Sequence, residues 1–383
     1  MESTTPRRPM RVAVTGASGN VGTALLRRLS APAPGDLPGN PPRDGDGDPI
    51  GASSRMADVV GIARRLPPSD QPPYSGVEWV SLDVAGAGSQ TRLSELFRGV
   101  DAVVHTAWLI QPARDPAEMA RVNLGGSRAV FQAAVAAGVP HLVHLSSVGV
   151  YAPHPGNDPR VDESWAATGI PTSQYSREKA VVEADLDQLE RSHPELQVSR
   201  MRPALVFQRD AGSEIARYFM GGLVPARVLR RVPLPLLPLP RGLRLQVVHS
   251  DDLADAIARV LQRGVGEGAG GAYNVADEPV LGGRDVGSAM RAGRLVALDH
   301  RLTRAVVDVT YRAHIHPVQP GWLDLGLGVP LLDTNRARRE LGWSPSHAAR
   351  DVLVELLEGI QGHDGTSSPA LRSRSLLSAR SGT

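Results

Sequence analysis

The chain has 383 residues, with 42 Lys plus Arg against 40 Asp plus Glu, a 41% apolar share and no cysteine. That length suits one large α/β domain, alone or with a smaller appendage, and the near-neutral balance without a basic, aromatic-laced block argues against nucleic acid. Lack of cysteine excludes disulfides and thiolate chemistry, and no run approaches the ~18 apolar residues of a membrane span.

The N-terminus "MESTTPRRPMRVAVTGASG" lacks the apolar core of a signal peptide, so a cytoplasmic protein is expected. The runs at 10–16, 58–64, 77–83, 101–107, 141–147 and 196–203 are apolar and strand-like. Helical patterns such as "NVGTALLRRLS" and "EMARVNLGGSRAVFQAAVAAG" separate most of them. Strands apolar on both faces and alternating with helices predict a parallel sheet covered on both sides.

Between the first strand and the first helix, "TGASGNVG" sets Gly16, Gly19 and Gly22 three residues apart. A helix N-terminus offers unpaired N–H groups and a positive dipole end, and glycine lets a phosphate approach without a Cβ in the way. Gly16, Ser18, Gly19, Asn20, Val21 and Gly22 are therefore expected to cradle a pyrophosphate; the plain alternative is a tight strand–helix turn. Residues 31–56, rich in Pro, Gly and Asp, read as a disordered insertion. The second strand ends "GIARRLP", with Ala63 where a ribose-binding acid is expected and Arg64 next. A guanidinium suits a 2′-phosphate where a carboxylate repels it, which favours NADP over NAD; solvated surface charge is the alternative reading of Arg64 and Arg65.

The stretch "TSQYSREKAVVEADL" contains the chain's only lysine, Lys179, four residues after Tyr175. On a helix these two share a face. A nearby ammonium is expected to draw the phenol's pKa down towards the working range, and its three donors can also hold ribose hydroxyls. Beyond 203 the rhythm breaks. The proline-rich 230–246 reads either as a packed loop or as a wall of the substrate cleft. Residues 246–276 read as strand, acidic turn and amphipathic helix returning to the first domain. "SHAARDVLVELLEGI" reads as a capped helix, and 362–383 as a disordered tail. His314 and His316 have metal-like spacing without an acidic partner, His249 with Asp251 and Asp252 looks like a helix entry, and Arg209, Arg217 and Arg227 are open to an anionic substrate or to solvent.

These motifs together resemble the extended short-chain dehydrogenase/reductases, the epimerase/dehydratase-like branch, over about residues 10–360. "LDV" at 82–84, "HTA" at 105–107, Asn123 in "RVNLGGSRAV", "RMRPALVF", "YNVADE" and "RARRELGWSP" add to the resemblance. It implies a Rossmann doubly wound parallel sheet over 8–203 and a smaller C-terminal α/β substrate-binding domain over 204–361. It also implies cofactor contacts from Asp83, Val84, Thr106, Ala107, Asn123, Tyr175, Lys179 and Pro203, and a homodimer built on the helices carrying Asn123 and Tyr175. Ser147, four residues before Tyr151, matches the catalytic Ser/Thr, with Ser146 as the neighbouring alternative. The implied chemistry is hydride exchange between a nicotinamide and an oxygen-bearing carbon of a small-molecule substrate, with Ser147, Tyr175 and Lys179 as catalytic residues. Val148 and Gly149 stand where sugar dehydratases of the family carry Asp-Glu, which speaks against dehydration. A nucleotide-sugar epimerase and a non-catalytic dinucleotide sensor are the competing readings.

Overall fold

The computed structural model describes residues 9–31, 55–110, 115–154, 156, 160–220, 234–264, 270–315 and 317–373. Strands β1 (Met10–Thr15), β2 (Ala57–Ala63), β3 (Glu78–Ser81), β4 (Ala102–His105), β5 (His141–Leu145), β6 (Gln197–Pro203) and β7 (Gly271–Val275) form one sheet. All neighbours are parallel, in the order β7-β6-β5-β4-β1-β2-β3. This is the doubly wound order, and its direction reverses between β1 and β4. The glycine loop follows β1 and "TAW" follows β4, so both flank the crevice at that switch point. The expected α/β class and parallel sheet are thus present; β1, β3, β4, β5 and β6 are shorter than their apolar runs and β2 is shifted by one residue.

Helices cover both faces because each carries one apolar stripe. On one face lie α1 (Asn20–Ser30) and, much later in the chain, α7 (Ser250–Arg263). Ion pairs Arg27–Asp251 (2.7 Å) and Arg28–Asp255 (3.0 Å) tie these two helices together. On the other face lie α2 (Ser89–Leu96), α3 (Pro116–Ala120) running through a π-helical turn (Arg121–Gly126) into α4 (Ser127–Ala136), and α5 (Gln174–Ser192). In α5, Lys179, Val182, Glu183 and Leu186 recur at helical spacing and are all buried, so this stripe faces the sheet.

A smaller unit sits over the C-terminal ends of the strands. It contains α6 (Gly212–Ile215), α8 (Gly283–Ala289), α9 (His300–Arg312), α10 (Pro320–Gly328), α11 (Asn335–Leu341), which packs back on α7 and β7, and α12 (Ala349–Gly362). Leu237–Pro240 of the proline-rich segment pairs with Leu295–Leu298, a two-stranded ribbon that tolerates proline better than a central strand would.

Two expectations differ from what is seen. Residues 362–373 are packed: Leu371 is fully buried, Ser368 Oγ donates to the Ser18 carbonyl at 2.6 Å, and Thr366 Oγ1 bonds the Tyr74 hydroxyl at 2.7 Å. A Ser/Gly-rich composition hid one leucine and two hydroxyls placed to meet partners; residues 374–383 lie outside the described residues. Ser346 does not cap α12, because its hydroxyl is held by Asp252 Oδ1 at 2.5 Å. Of the expected insertion, 32–54 lie outside the described residues, while its ends meet through Met56 N–H to Ala31 O, 3.1 Å.

Candidate active site

The loop after β1 is tight for a stated reason. Gly16 has φ +73°, and a Cβ there would come within 2.7 Å of the Ala107 nitrogen; a Cβ on Gly22 would meet the Gly16 carbonyl at 2.3 Å. Both glycines let β1, α1 and the β4 loop approach one another. The N-terminus of α1 has Gly19 as its cap residue and no side chain capping it, so its first N–H groups remain available to a ligand. Gly16, Gly19, Asn20, Val21 and Gly22 line a cavity of about 600 Å³, together with Thr106, Ser147, Tyr175, Lys179 and Pro203. This loop, a helix start opening on a cavity, fits a pyrophosphate.

The two serines after β5 divide their roles. Ser146 Oγ donates to Glu183 Oε1 at 2.5 Å, inside a buried network in which Arg202 Nε also reaches Glu183 at 2.9 Å. Ser147 Oγ accepts the Gly149 N–H at 3.0 Å and is the serine that pulls the Tyr175 pKa down against burial, whereas Ser146 is turned to Glu183. Gly149 keeps room for the ring, since a Cβ there would lie 3.0 Å from Tyr175 Cε1.

Lys179 is 2% exposed and its Nζ donates to the Leu145 carbonyl at 2.7 Å. The same ammonium sits 3.5 Å from the centre of the Trp108 ring, within cation–π range. Burial pulls Lys179 down to about 7, against the opposing charges of Glu183 and Glu178. Burial pushes Tyr175 up to about 12, with the Ser147 hydrogen bond pulling the other way. The expectation that the lysine lowers the tyrosine pKa is therefore not met in this form of the protein. Nζ stands 5.9 Å from the Tyr175 ring centre and is engaged by Leu145 and Trp108, so desolvation prevails.

The sequence pattern of the NAD dependent epimerase/dehydratase family matches residues 51–276. The chain belongs to this family. A UDP-glucose 4-epimerase of Mycolicibacterium smegmatis is 28% identical over 357 residues, covering 91% of this chain and 98% of that protein. An uncharacterised Mycobacterium tuberculosis protein is 26% identical over 93% of this chain, and the chain spans 31% of that relative's length. Among solved structures, a Thermus thermophilus UDP-glucose 4-epimerase in complex with NAD has a TM-score of 0.63 at 20% identity, covering 92% of this chain and 99% of that one. A Streptomyces venezuelae dTDP-glucose 4,6-dehydratase with NAD and TYD bound has a TM-score of 0.63 at 22% identity, covering 92% and 97%. These likenesses are likenesses of fold.

Within this epimerase/dehydratase family frame, the other expected residues fall into two groups. Ala107 abuts Gly16, and Val84 packs under Gly126, where a Cβ would lie 2.8 Å from Val84 Cγ2. Asp83 Oδ1 accepts the Ala85 N–H at 3.1 Å, and the charge of exposed Arg64 reaches both Tyr218 and Glu118. Ser18, Arg64, Asp83, Val84 and Ala107 border the loop region without lining the cavity. Asn123 departs most from expectation. It is fully buried, its amide spent on the Leu109 backbone (2.7 and 3.0 Å) and on Glu178 Oε2 (2.7 Å), so it fixes the loop carrying Trp108 to α5.

Arg209 pairs with Asp364 (2.7 Å) and Glu358 (3.2 Å), and Arg217 donates to the Ala370 and Arg372 carbonyls. These arginines hold the C-terminal segment; Arg227 lies outside the described residues. His249 accepts the Asp251 N–H at the start of α7. His314 is exposed, and His316 lies outside the described residues.

Sequence reading missed Trp322, Phe219 and Glu214, which share the cavity with Tyr175. Trp322 lies 5.1 Å from the Tyr175 ring and 5.1 Å from Phe219, while Trp108 meets Tyr175 edge-on at 6.0 Å. "TAWLIQP" did carry an apolar signal for Trp108; nothing in "QPGWLDLG" marks Trp322.

Proposed function

We propose that the chain is an NAD(P)-dependent oxidoreductase exchanging a hydride with a carbonyl/alcohol carbon at the Ser147–Tyr175–Lys179 corner. The observation carrying this reading is the convergence of Ser147, Tyr175 and Lys179 on one cavity with the free start of α1. A bound nicotinamide supplies or takes the hydride. The glycine loop and the N-terminus of α1 hold the pyrophosphate, and Lys179 offers its donors to the ribose. Ser147 hydrogen-bonds the reacting oxygen as charge develops there. Tyr175 is protonated at neutral pH, because burial pushes it up to about 12, and so stands ready as the proton donor for carbonyl reduction.

Arg64 directly follows the last residue of β2, Ala63, which supports NADP over NAD. An epimerase reading has its own support in the mycobacterial UDP-glucose 4-epimerase that matches along nearly its whole length. A sensor without turnover has none from the assembled site.

Paired calorimetric titrations with NADPH and NADH test the proposal. Tighter binding of NADPH is the expected result. Preference for NADH would overturn the role of Arg64, and no binding of either would overturn the enzyme reading.

A further inference from the structure

We infer that the substrate is an uncharged, ring-bearing carbonyl or alcohol, seated against Trp322 and Phe219 with its oxygen at Ser147 and Tyr175. This rests on the proposed oxidoreductase site and adds a substrate class to it. The chain is poor in aromatics, with 5 Trp, 6 Tyr and 4 Phe in 383 residues. Yet Trp108, Tyr175, Phe207, Tyr218, Phe219 and Trp322 all line this one cavity. Trp322 connects them: its ring is tilted 37° on Tyr175 and stands at 90° to Phe219. Val307, Val318, Leu323, Leu325, Val329 and Leu331 supply much of the remaining wall from the C-terminal unit.

Most polar side chains on the wall are committed to the protein. Asn20 is held by Val206 O, Gln208 and Ser250, and both ends of the Gln246 amide are taken by the Leu332 backbone. Thr106 donates to the Thr15 carbonyl, and Glu214 accepts the Tyr218 hydroxyl at 3.0 Å. A sugar needs a partner for each hydroxyl, and buried hydroxyls left unmatched cost binding. A diphosphate needs cations. Among the described residues the cavity offers Lys179, engaged by Trp108, and Arg244, while the Glu214 carboxyl stands in the same wall. A planar apolar ring instead finds edge and face contacts of the kind aromatic side chains favour.

The test uses 2-acetonaphthone and UDP-glucose as probes on the full chain. Binding is read by tryptophan fluorescence quenching without cofactor, and turnover with NADPH. Micromolar to sub-millimolar binding of 2-acetonaphthone, with UDP-glucose at least tenfold weaker, is expected. Trp322→Ala should weaken 2-acetonaphthone binding at least tenfold, and Trp322→Phe should restore most of it, with NADPH affinity unchanged in both. Tighter binding or epimerisation of UDP-glucose, or a Trp322→Ala affinity equal to wild type, overturns the substrate class. Loss of NADPH binding in the wild type would instead be a failure of the oxidoreductase reading.

Discussion

Lys179 gives this chain an unusually legible pH dependence. Burial holds its pKa at about 7, whereas a lysine in the unfolded chain titrates near ~10.4. Above pH 7 the folded protein sheds this proton while the unfolded chain keeps it until about 10.4. The unfolded state then binds more protons, so unfolding free energy rises with pH, by at most ~1.4 kcal/mol per pH unit. From pH 7.5 to 9.5 the gain is about 2.5 kcal/mol on these values.

The window is clean because the chain has no cysteine and no second lysine. Asp277, raised by burial to about 7, has made most of its change by the start of the window, and the buried histidines His105 and His141, lowered to about 3 and 4, titrate lower still. Tyr175, Tyr151 and Tyr273, raised to about 12, act mainly above pH 10 and draw the upper end of the window down by well under ~1 kcal/mol in both proteins alike. Urea unfolding at pH 7.5, 8.5 and 9.5 on wild type and Lys179→Met provides the comparison. Wild type should gain about 2.5 kcal/mol more than the variant, which keeps the stem without the ammonium, across the range. Parallel lines for the two proteins would refute the burial argument.

Arg202→Met leaves the Glu183 carboxylate buried without its bidentate partner, and thermal or urea unfolding should report a loss of ~3–5 kcal/mol; a loss below ~1 kcal/mol would show that the pair is not holding α5 to β6. Leu371→Ala should cost ~2–5 kcal/mol in the same assay, since its side chain is fully enclosed, whereas a loose tail would give no change. Arg64→Ala should weaken NADPH by about tenfold and leave NADH little changed, because one charge-assisted contact to a phosphate is worth roughly that much; equal effects on both would place Arg64 away from the 2′-phosphate.

Much of this organisation was legible in the sequence because its determinants are local. Continuous apolar runs give the strands of a sheet buried on both faces, and a Tyr–Lys spacing of four gives a shared helical face. Ala63 and Arg64 could be placed by counting from the end of β2. What was not legible depends on contacts distant in sequence. Trp322 reaches Tyr175 across nearly 150 residues, and Ser368 reaches Ser18 across 350. Asn123 was given a cofactor contact by resemblance, but its amide is consumed by Leu109 and Glu178. The direction of the Tyr175 pKa was misread for a related reason. Helical spacing puts a lysine near a phenol, but only the packed structure shows Trp108 and the Leu145 carbonyl taking up the ammonium.

The central claim is that Tyr175 moves the proton that accompanies hydride transfer. Its most direct test is Tyr175→Phe in the NADPH-loaded chain, assayed with whichever of 2-acetonaphthone and UDP-glucose the wild type turns over. Turnover should fall by roughly 10²–10⁴-fold, the usual range for removing a general acid, with NADPH affinity kept within about threefold. Undiminished turnover in Tyr175→Phe would contradict it.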